Sequence, residues 1–119
     1  MTTDYFFDSY AIIEILKASE NYRIYLDSEF ITTKLNIFEV YYHLLKQSKE
    51  KADIFLKKFI LKTVDFDGVV IEEACKLKAE KKNLSMADCI GYVVALKAGT
   101  RFLTGDGEFE HMKNVEFVR

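Results

Sequence analysis

Hydrophobic positions in the first half of the chain alternate between short apolar runs and stretches with helical spacing. Residues 5–7 form an apolar run that predicts a buried strand, and residues 30–33 are β-branched and aromatic enough for a second one. A short helix is expected at residues 21–27. Apolar residues recur every three or four positions over residues 36–49 and 52–62, which predicts two amphipathic helices. An additional helix is expected directly after the first strand, because residues 11–16 continue its apolar run.

The second half of the chain repeats this alternation. Residues 69–82 and 85–98 have helical spacing, and Gly99 is placed where a helix commonly ends. Further strands are expected at residues 63–66, 101–104 and 115–118. Because parallel neighbouring strands need crossover connections, strands that alternate with helices predict a largely parallel sheet with helices on both faces.

Length and composition narrow the class of protein. A chain of 119 residues, half of them hydrophobic, is expected to form one domain over residues 1–119 without disulfide staples. Seventeen basic and 19 acidic residues give a net charge of −2, which excludes a general polycation that coats nucleic acid. Cys75 and Cys89 fit no zinc or redox spacing and are expected to be small buried hydrophobes. With neither a leader pattern nor a membrane-length apolar run, we expect a cytoplasmic protein without a membrane partner.

Four carboxylates occupy one kind of place on this map of elements. Asp8 ends the first strand, and Asp106 comes just after the strand at residues 101–104. Glu39 and Asp88 lie near the beginnings of helices. In a doubly wound sheet, the carboxyl ends of the strands and the amino ends of the following helices share one edge, where ligands bind. The four acids are therefore expected to converge.

Each acid also has an ordinary helix-end interpretation. Asp8 could be the N-cap of the first helix, and Asp106 could be an ordinary turn residue. The spacings that resemble capping boxes are Asn36-x-x-Glu39 and Ser85-x-x-Asp88. These roles leave unexplained why Glu39 is flanked by hydrophobic residues and why Asp8 directly follows an apolar strand, since an ionised carboxylate tolerates apolar surroundings poorly without a partner.

A divalent cation is the simplest partner for such a cluster. Carboxylates brought close together repel one another and stay ionised only beside a metal ion or a Lys or Arg side chain. Hard oxygen ligands select Mg²⁺ or Mn²⁺. The predicted metal ligands are Asp8, Glu39, Asp88 and Asp106.

The segments around these acids resemble the PIN-domain family of metal-dependent ribonucleases, especially its small VapC-type toxins. These segments are FFDSYAI, NIFEV, LSMADCIGYVVALKAG and FLTGDGEF, and the match spans the chain. The resemblance implies a three-layer α/β/α sandwich with a five-stranded parallel sheet in the order 3-2-1-4-5. It also implies Mg²⁺ or Mn²⁺ among the acids and cleavage of single-stranded RNA.

Carried over by position, the resemblance gives a role to each acid. Asp8, Glu39, Asp88 and Asp106 match the family's four acids. For metal-assisted hydrolysis we expect Asp8 and Asp88 to be primary metal ligands and Asp106 to bind the same or a second ion. Glu39 is expected either to bind the metal through water or to orient the attacking water.

Three neighbouring residues complete the comparison. Ser9 and Thr104 match hydroxyl residues beside the first and last acids, and Glu108 is expected to be an accessory acid. The family usually has a second Asp where this chain has Glu108, and often has Asn where it has Tyr10. These two departures from the family pattern bear on whether a second metal ion binds and on how the substrate is positioned. They do not involve the four main acids.

The function expected from this resemblance is a Mg²⁺- or Mn²⁺-dependent endoribonuclease, the toxin of a toxin–antitoxin pair. Its expected partners are an antitoxin protein and a second copy in a homodimer. Tyr22, Tyr25 and Phe30 are candidates either for a groove or dimer face or for packing in the core. Candidate phosphate-binding residues on the rim are Lys34, Lys46, Lys49, Lys81 and Lys82. The alternatives are a stand-alone PIN nuclease in RNA processing and a non-catalytic, metal-binding flavodoxin-like or receiver-like regulatory module.

Overall fold

Five helices flank a four-stranded parallel sheet in the computed structural model, which describes residues 3–119. The strands are β1 (Tyr5–Phe7), β2 (Phe30–Ile31), β3 (Arg101–Thr104) and β4 (Val115–Phe117). The helices are α1 (Ser9–Leu16), α2 (Lys34–Leu45), α3 (Lys49–Phe59), α4 (Gly68–Glu80) and α5 (Met86–Ala98). Short 3-10 helices cover Glu20–Tyr25, Ile60–Lys62 and Gly107–Phe109.

The sheet has the order β2-β1-β3-β4, and every neighbouring pair is parallel. The α/β sandwich is therefore confirmed, but the expected five strands become four. The segment predicted as a strand at residues 63–66 forms a single parallel bridge, Thr32 to Thr63, at the edge beyond β2. The bridge stays isolated because Thr33 already caps α2 and Asp67 already caps α4, so the chain leaves the sheet on both sides.

Two core layers lie on opposite faces of the sheet because successive strand residues point in opposite directions. Phe6 and Phe102 pack with α4 and α5, whereas Phe7 and Leu103 pack with α1, α2 and α3. At Gly91 in α5, an added Cβ would lie 2.9 Å from the ring of Phe6, so a glycine is required for the helix to approach the sheet this closely. The sheet carries its acids at the carboxyl end of these buried strands.

Two expectations about individual side chains are wrong. Cys89 is buried as expected, but Cys75 is exposed. Tyr22 and Tyr25 are 1% and 5% exposed and belong to the core, so they do not form a groove or a dimer face. Phe30 is half-buried and stacks on Phe7, with 4.3 Å between the ring centroids.

Across residues 3–119, no helix has the length and apolar character needed to cross a membrane.

Candidate active site

Asp8 occupies the carboxyl end of the central strand β1. It is the N-cap of α1, and its carboxylate accepts a hydrogen bond from the Ala11 backbone N–H at 2.8 Å. Only 2% of the residue is exposed. The helix-cap role is therefore present, and it is filled by a carboxyl group that is buried between sheet and helix.

Burial raises the pKa of Asp8 to about 8. Hydrogen bonds from the Thr104 hydroxyl and the Ala11 N–H lower this pKa, and the carboxylates of Asp88 and Asp106 raise it. Asp88 and Asp106 therefore lie within electrostatic reach of Asp8, as expected where β1 and β3 end side by side. The structure brings these three acids to one edge.

Asp88 is fixed by the capping box predicted at the start of α5. The Ser85 N–H donates to Asp88 Oδ2 at 2.8 Å, and the Asp88 N–H donates to Ser85 Oγ at 3.1 Å. Burial is the main cause of a raised pKa for Asp88, and Asp106 raises it further. The positive charge of nearby Lys78 lowers the pKa of Asp88.

Asp106 caps the short 3-10 helix that follows β3. Its N–H donates to Thr104 Oγ1 at 3.0 Å, and its Oδ1 accepts from the Glu108 N–H at 3.0 Å. Thr104 thus contacts both Asp8 and Asp106. Glu108 is exposed, and its backbone N–H is hydrogen-bonded to Asp106.

Glu39 also lies at this edge, but its hydrogen-bond partner is not the one that the sequence predicted. Thr33 caps α2, so the capping box expected between Asn36 and Glu39 is wrong. The Glu39 carboxylate instead accepts a hydrogen bond from the Ser9 hydroxyl at 2.6 Å. Because Ser9 directly follows Asp8, this contact places Glu39 at the amino end of α1.

Two residues that the sequence analysis did not name, and Asn36, which it named only as a possible helix cap, also shape this edge. A Cβ on Gly105 would lie 2.2 Å from the Tyr10 ring and 2.4 Å from the Val118 carbonyl oxygen, so only glycine fits there. The guanidinium of Arg119 lies beside Gly107, with 3.6 Å from a terminal nitrogen to the position of an added Cβ. Asn36 is buried and hydrogen-bonded to Ser9. The Gly105-Asp106-Gly107 sequence signals a turn and so points to Gly105, whereas the contacts of Arg119 and Asn36 depend on how distant parts of the chain pack.

The four acids fit a hard divalent cation by their donor chemistry. Carboxylate oxygens are the ligands that Mg²⁺ and Mn²⁺ prefer, and within residues 3–119 none of the four forms a salt bridge. In the same range, no group of three or more His, Cys, Asp or Glu side chains is arranged to hold a metal ion. The acids thus lie at one edge without a salt bridge among the described residues, but they are not gathered into a metal-binding group of three.

Comparison with known proteins agrees with this architecture. The model of the PIN domain family matches residues 5–115. No curated protein sequence matches the chain.

Three solved structures share the fold. A toxin–antitoxin complex from Klebsiella pneumoniae has a TM-score of 0.76 at 17% identity, covering 95% of this chain and 96% of that one. PAE2754 from Pyrobaculum aerophilum has a TM-score of 0.75 at 21% identity, covering 99% and 92%. VapBC2 from Rickettsia felis, bound to a DNA fragment from its promoter, has a TM-score of 0.71 at 17% identity, covering 96% of both chains. Matched by the family model over nearly its whole length, the chain belongs to the PIN-domain family.

Proposed function

We propose that this protein is a divalent-metal-dependent endoribonuclease that cleaves single-stranded RNA and acts as the toxin of a toxin–antitoxin pair. PIN domains are generally nucleases. The observation that carries the proposal is the buried carboxyl of Asp8, whose pKa is raised by burial and by Asp88 and Asp106. Three acids at the ligand-binding edge of a parallel sheet, without a salt bridge within residues 3–119, are suited to a cation and a phosphodiester.

In this proposal Asp8, Asp88 and Asp106 hold Mg²⁺ or Mn²⁺. When bound, the ion supplies a water of lowered pKa and offsets charge on the non-bridging phosphate oxygens. Glu39 orients the attacking water, since its carboxylate is held at the amino end of α1 by Ser9. The products are a 5′-phosphate and a 3′-hydroxyl.

Positive charge beside an acidic site is needed to hold a polyanion. Arg119 lies against the turn that carries Asp106 and is placed to contact a phosphate. Lys46 lies over the ring of exposed Tyr42, with 5.0 Å between Nζ and the centroid. Lys34 is exposed and pairs with Asp65 at 3.6 Å. Lys46 is the C-cap of α2, whereas the acid edge lies at the amino end of that helix, so we assign Arg119 to RNA binding ahead of Lys46 and Lys34.

The antitoxin partner is supported by two structural neighbours, a toxin–antitoxin complex from Klebsiella pneumoniae and VapBC2 from Rickettsia felis. A groove of about 490 Å³ lies between α1, α2 and α3. Apolar side chains such as Leu16 and Leu44 line it together with Lys17, Lys51 and Lys58. An antitoxin segment with apolar residues and acidic flanks matches this lining in chemistry.

The test is cleavage of labelled single-stranded RNA by the purified protein with Mg²⁺, with Mn²⁺ and with EDTA. Asp8→Asn and Asp88→Asn are compared with Asp67→Asn, which changes an exposed N-cap of α4 in the same way. We expect metal-dependent cleavage by the native protein and Asp67→Asn, and its loss in the other two variants. Equal cleavage by all four proteins, or none with either metal, overturns the proposal.

The partners are tested on the same preparation. The protein is co-expressed with the product of a neighbouring small gene. If an inhibited complex of the two co-purifies, the protein is a toxin; if no such partner inhibits cleavage, it is a stand-alone RNA-processing nuclease. Sedimentation of the pure protein tests the homodimer.

A further inference from the structure

A chain of side-chain hydrogen bonds runs from the core to Glu39. The Thr33 hydroxyl donates to Asn36 Oδ1 at 2.7 Å. Asn36 Nδ2 donates to Ser9 Oγ at 3.1 Å, and the Ser9 hydroxyl donates to Glu39 Oε1 at 2.6 Å. The four residues therefore connect the beginning of α2 to the beginning of α1.

The carboxylate at one end fixes the direction of every bond. An ionised Glu39 only accepts, so the single hydroxyl proton of Ser9 points toward it. Ser9 must then accept from Asn36, which places the amide nitrogen toward Ser9 and the amide oxygen toward Thr33. Asn36 differs from the two hydroxyl residues in that its side-chain donor and acceptor are separate atoms, Nδ2 and Oδ1.

The inner end of the chain is anchored in the core. Thr33 and Asn36 are 0% and 1% exposed, whereas Glu39 is exposed. The neighbouring Thr32 hydroxyl donates to the Phe7 carbonyl at 2.9 Å, which ties this segment to the end of β1. The exposed carboxylate of Glu39 is thereby linked to buried, hydrogen-bonded residues beside Asp8.

We propose that Asn36 is a positioning residue that acts through Ser9 to hold the Glu39 carboxylate at the acid edge. The inference rests on the proposed nuclease function and adds a residue to it. Partners that orient the groups around a metal commonly change metal affinity or activity about 10- to 100-fold when removed. A purely structural Asn36, serving only the start of α2, would change stability and leave Glu39 unaffected.

The test compares Ser9→Ala, Ser9→Thr, Asn36→Ala and Asn36→Asp with Ser19→Ala. Asn36→Asp keeps the side-chain size and the acceptor for Thr33, replaces the donor to Ser9 by an acceptor oxygen and adds an ionisable group, so it serves if Asn36→Ala does not fold. Ser19 is a matched control because its hydroxyl donates to Glu14 at 3.0 Å, beyond the other end of α1. The readouts are kcat and KM for RNA, Mn²⁺ affinity by calorimetry, and the carbon-13 resonance of the Glu39 carboxyl.

We expect Ser9→Ala and both Asn36 variants to lower kcat or Mn²⁺ affinity about 10- to 100-fold and to shift the Glu39 resonance. Ser9→Thr retains the hydroxyl, so its kcat, Mn²⁺ affinity and Glu39 resonance should match those of the native protein. Ser19→Ala should change none of the three. In a Glu39→Gln background, Ser9→Ala has little further effect on kcat, because residues that act through one another are not additive.

Two results separate failure of this inference from failure of the nuclease proposal. If the native protein cleaves RNA but the Asn36 variants leave the Glu39 resonance and kcat unchanged, the positioning role is refuted and the nuclease stands. If no protein cleaves RNA while the resonance moves with Asn36 and Ser9, the hydrogen-bond chain stands and the nuclease fails. An additive loss from Ser9→Ala in Glu39→Gln also refutes the positioning role.

Discussion

Replacing Asp8 by Asn is expected to stabilise the metal-free protein at alkaline pH. The substitution keeps the shape of the side chain and its oxygen acceptor for the Ala11 N–H, and Asn is as good an N-cap as Asp. What it removes is a carboxyl group buried beside Asp88 and Asp106. The change therefore isolates the charge of Asp8 from its capping role.

The magnitude follows from the pKa of the buried carboxyl. Asp8 has an ordinary pKa of 3.8, and its pKa in the folded protein is about 8. Between these values the folded state holds a proton that the unfolded chain has released, so stability falls as pH rises through this window. A difference of about four pKa units corresponds to a loss on the order of 5 kcal/mol, complete above about pH 8. Below about pH 3.8 the Asp8 carboxyl is protonated in both the folded and the unfolded state, so it no longer makes stability depend on pH.

The assay is a urea titration in EDTA at about pH 5 and at about pH 9, in which unfolding is monitored by circular dichroism. The stability advantage of Asp8→Asn over the native protein should grow by several kcal/mol between the two pH values. Asp67→Asn, at the exposed N-cap of α4, should show no such growth. Mn²⁺ should restore stability to the native protein at the higher pH, because it binds the folded state only. Parallel pH profiles for the native protein and Asp8→Asn would refute the reasoning.

Three further predictions concern other parts of the molecule. Gly105→Ala should lower the free energy of unfolding by about 1–3 kcal/mol or more, measured by urea titration, since its Cβ meets the Tyr10 ring at 2.2 Å; a change of a few tenths would contradict this. Lys78→Met should reduce RNA cleavage, because Lys78 Nζ donates to the Lys82 carbonyl at 2.8 Å and so holds the turn that leads to Asp88; unchanged kcat would contradict it. Lys58→Glu in the groove should weaken antitoxin binding in a salt-dependent way and leave free nuclease activity intact, as measured by titration calorimetry and cleavage.

Much of the fold was predictable because apolar periodicity reports directly on burial. The buried runs at β1 and β3 and the capping box at Ser85 were all found where the sequence pattern placed them. The start of α2 was not, because Thr33 and Asn36 are both good caps and only the packed structure decides between them. The segment after Thr63 has strand-forming residues, but its partner β2 offers only two residues for pairing.

The shared location of the acids was predictable from topology, since ends of parallel strands meet at one edge. The contacts that orient them were not. The hydrogen bond from Asn36 to Ser9 depends on how α1 and α2 approach each other, which periodicity does not report. The exposure of Cys75 and the burial of Tyr22 have the same origin: each depends on which helix face meets a neighbour.

The shortness of the outer strands has a consequence for how this protein meets other molecules. β2 contributes two residues and β4 three, so each margin of the sheet offers few backbone groups for a foreign strand to pair with. Short outer strands of this kind protect against edge-to-edge aggregation, a hazard for a chain that is half hydrophobic. A strand from another molecule would therefore find few backbone groups to pair with at either margin, and the helix surfaces offer the larger area for contact.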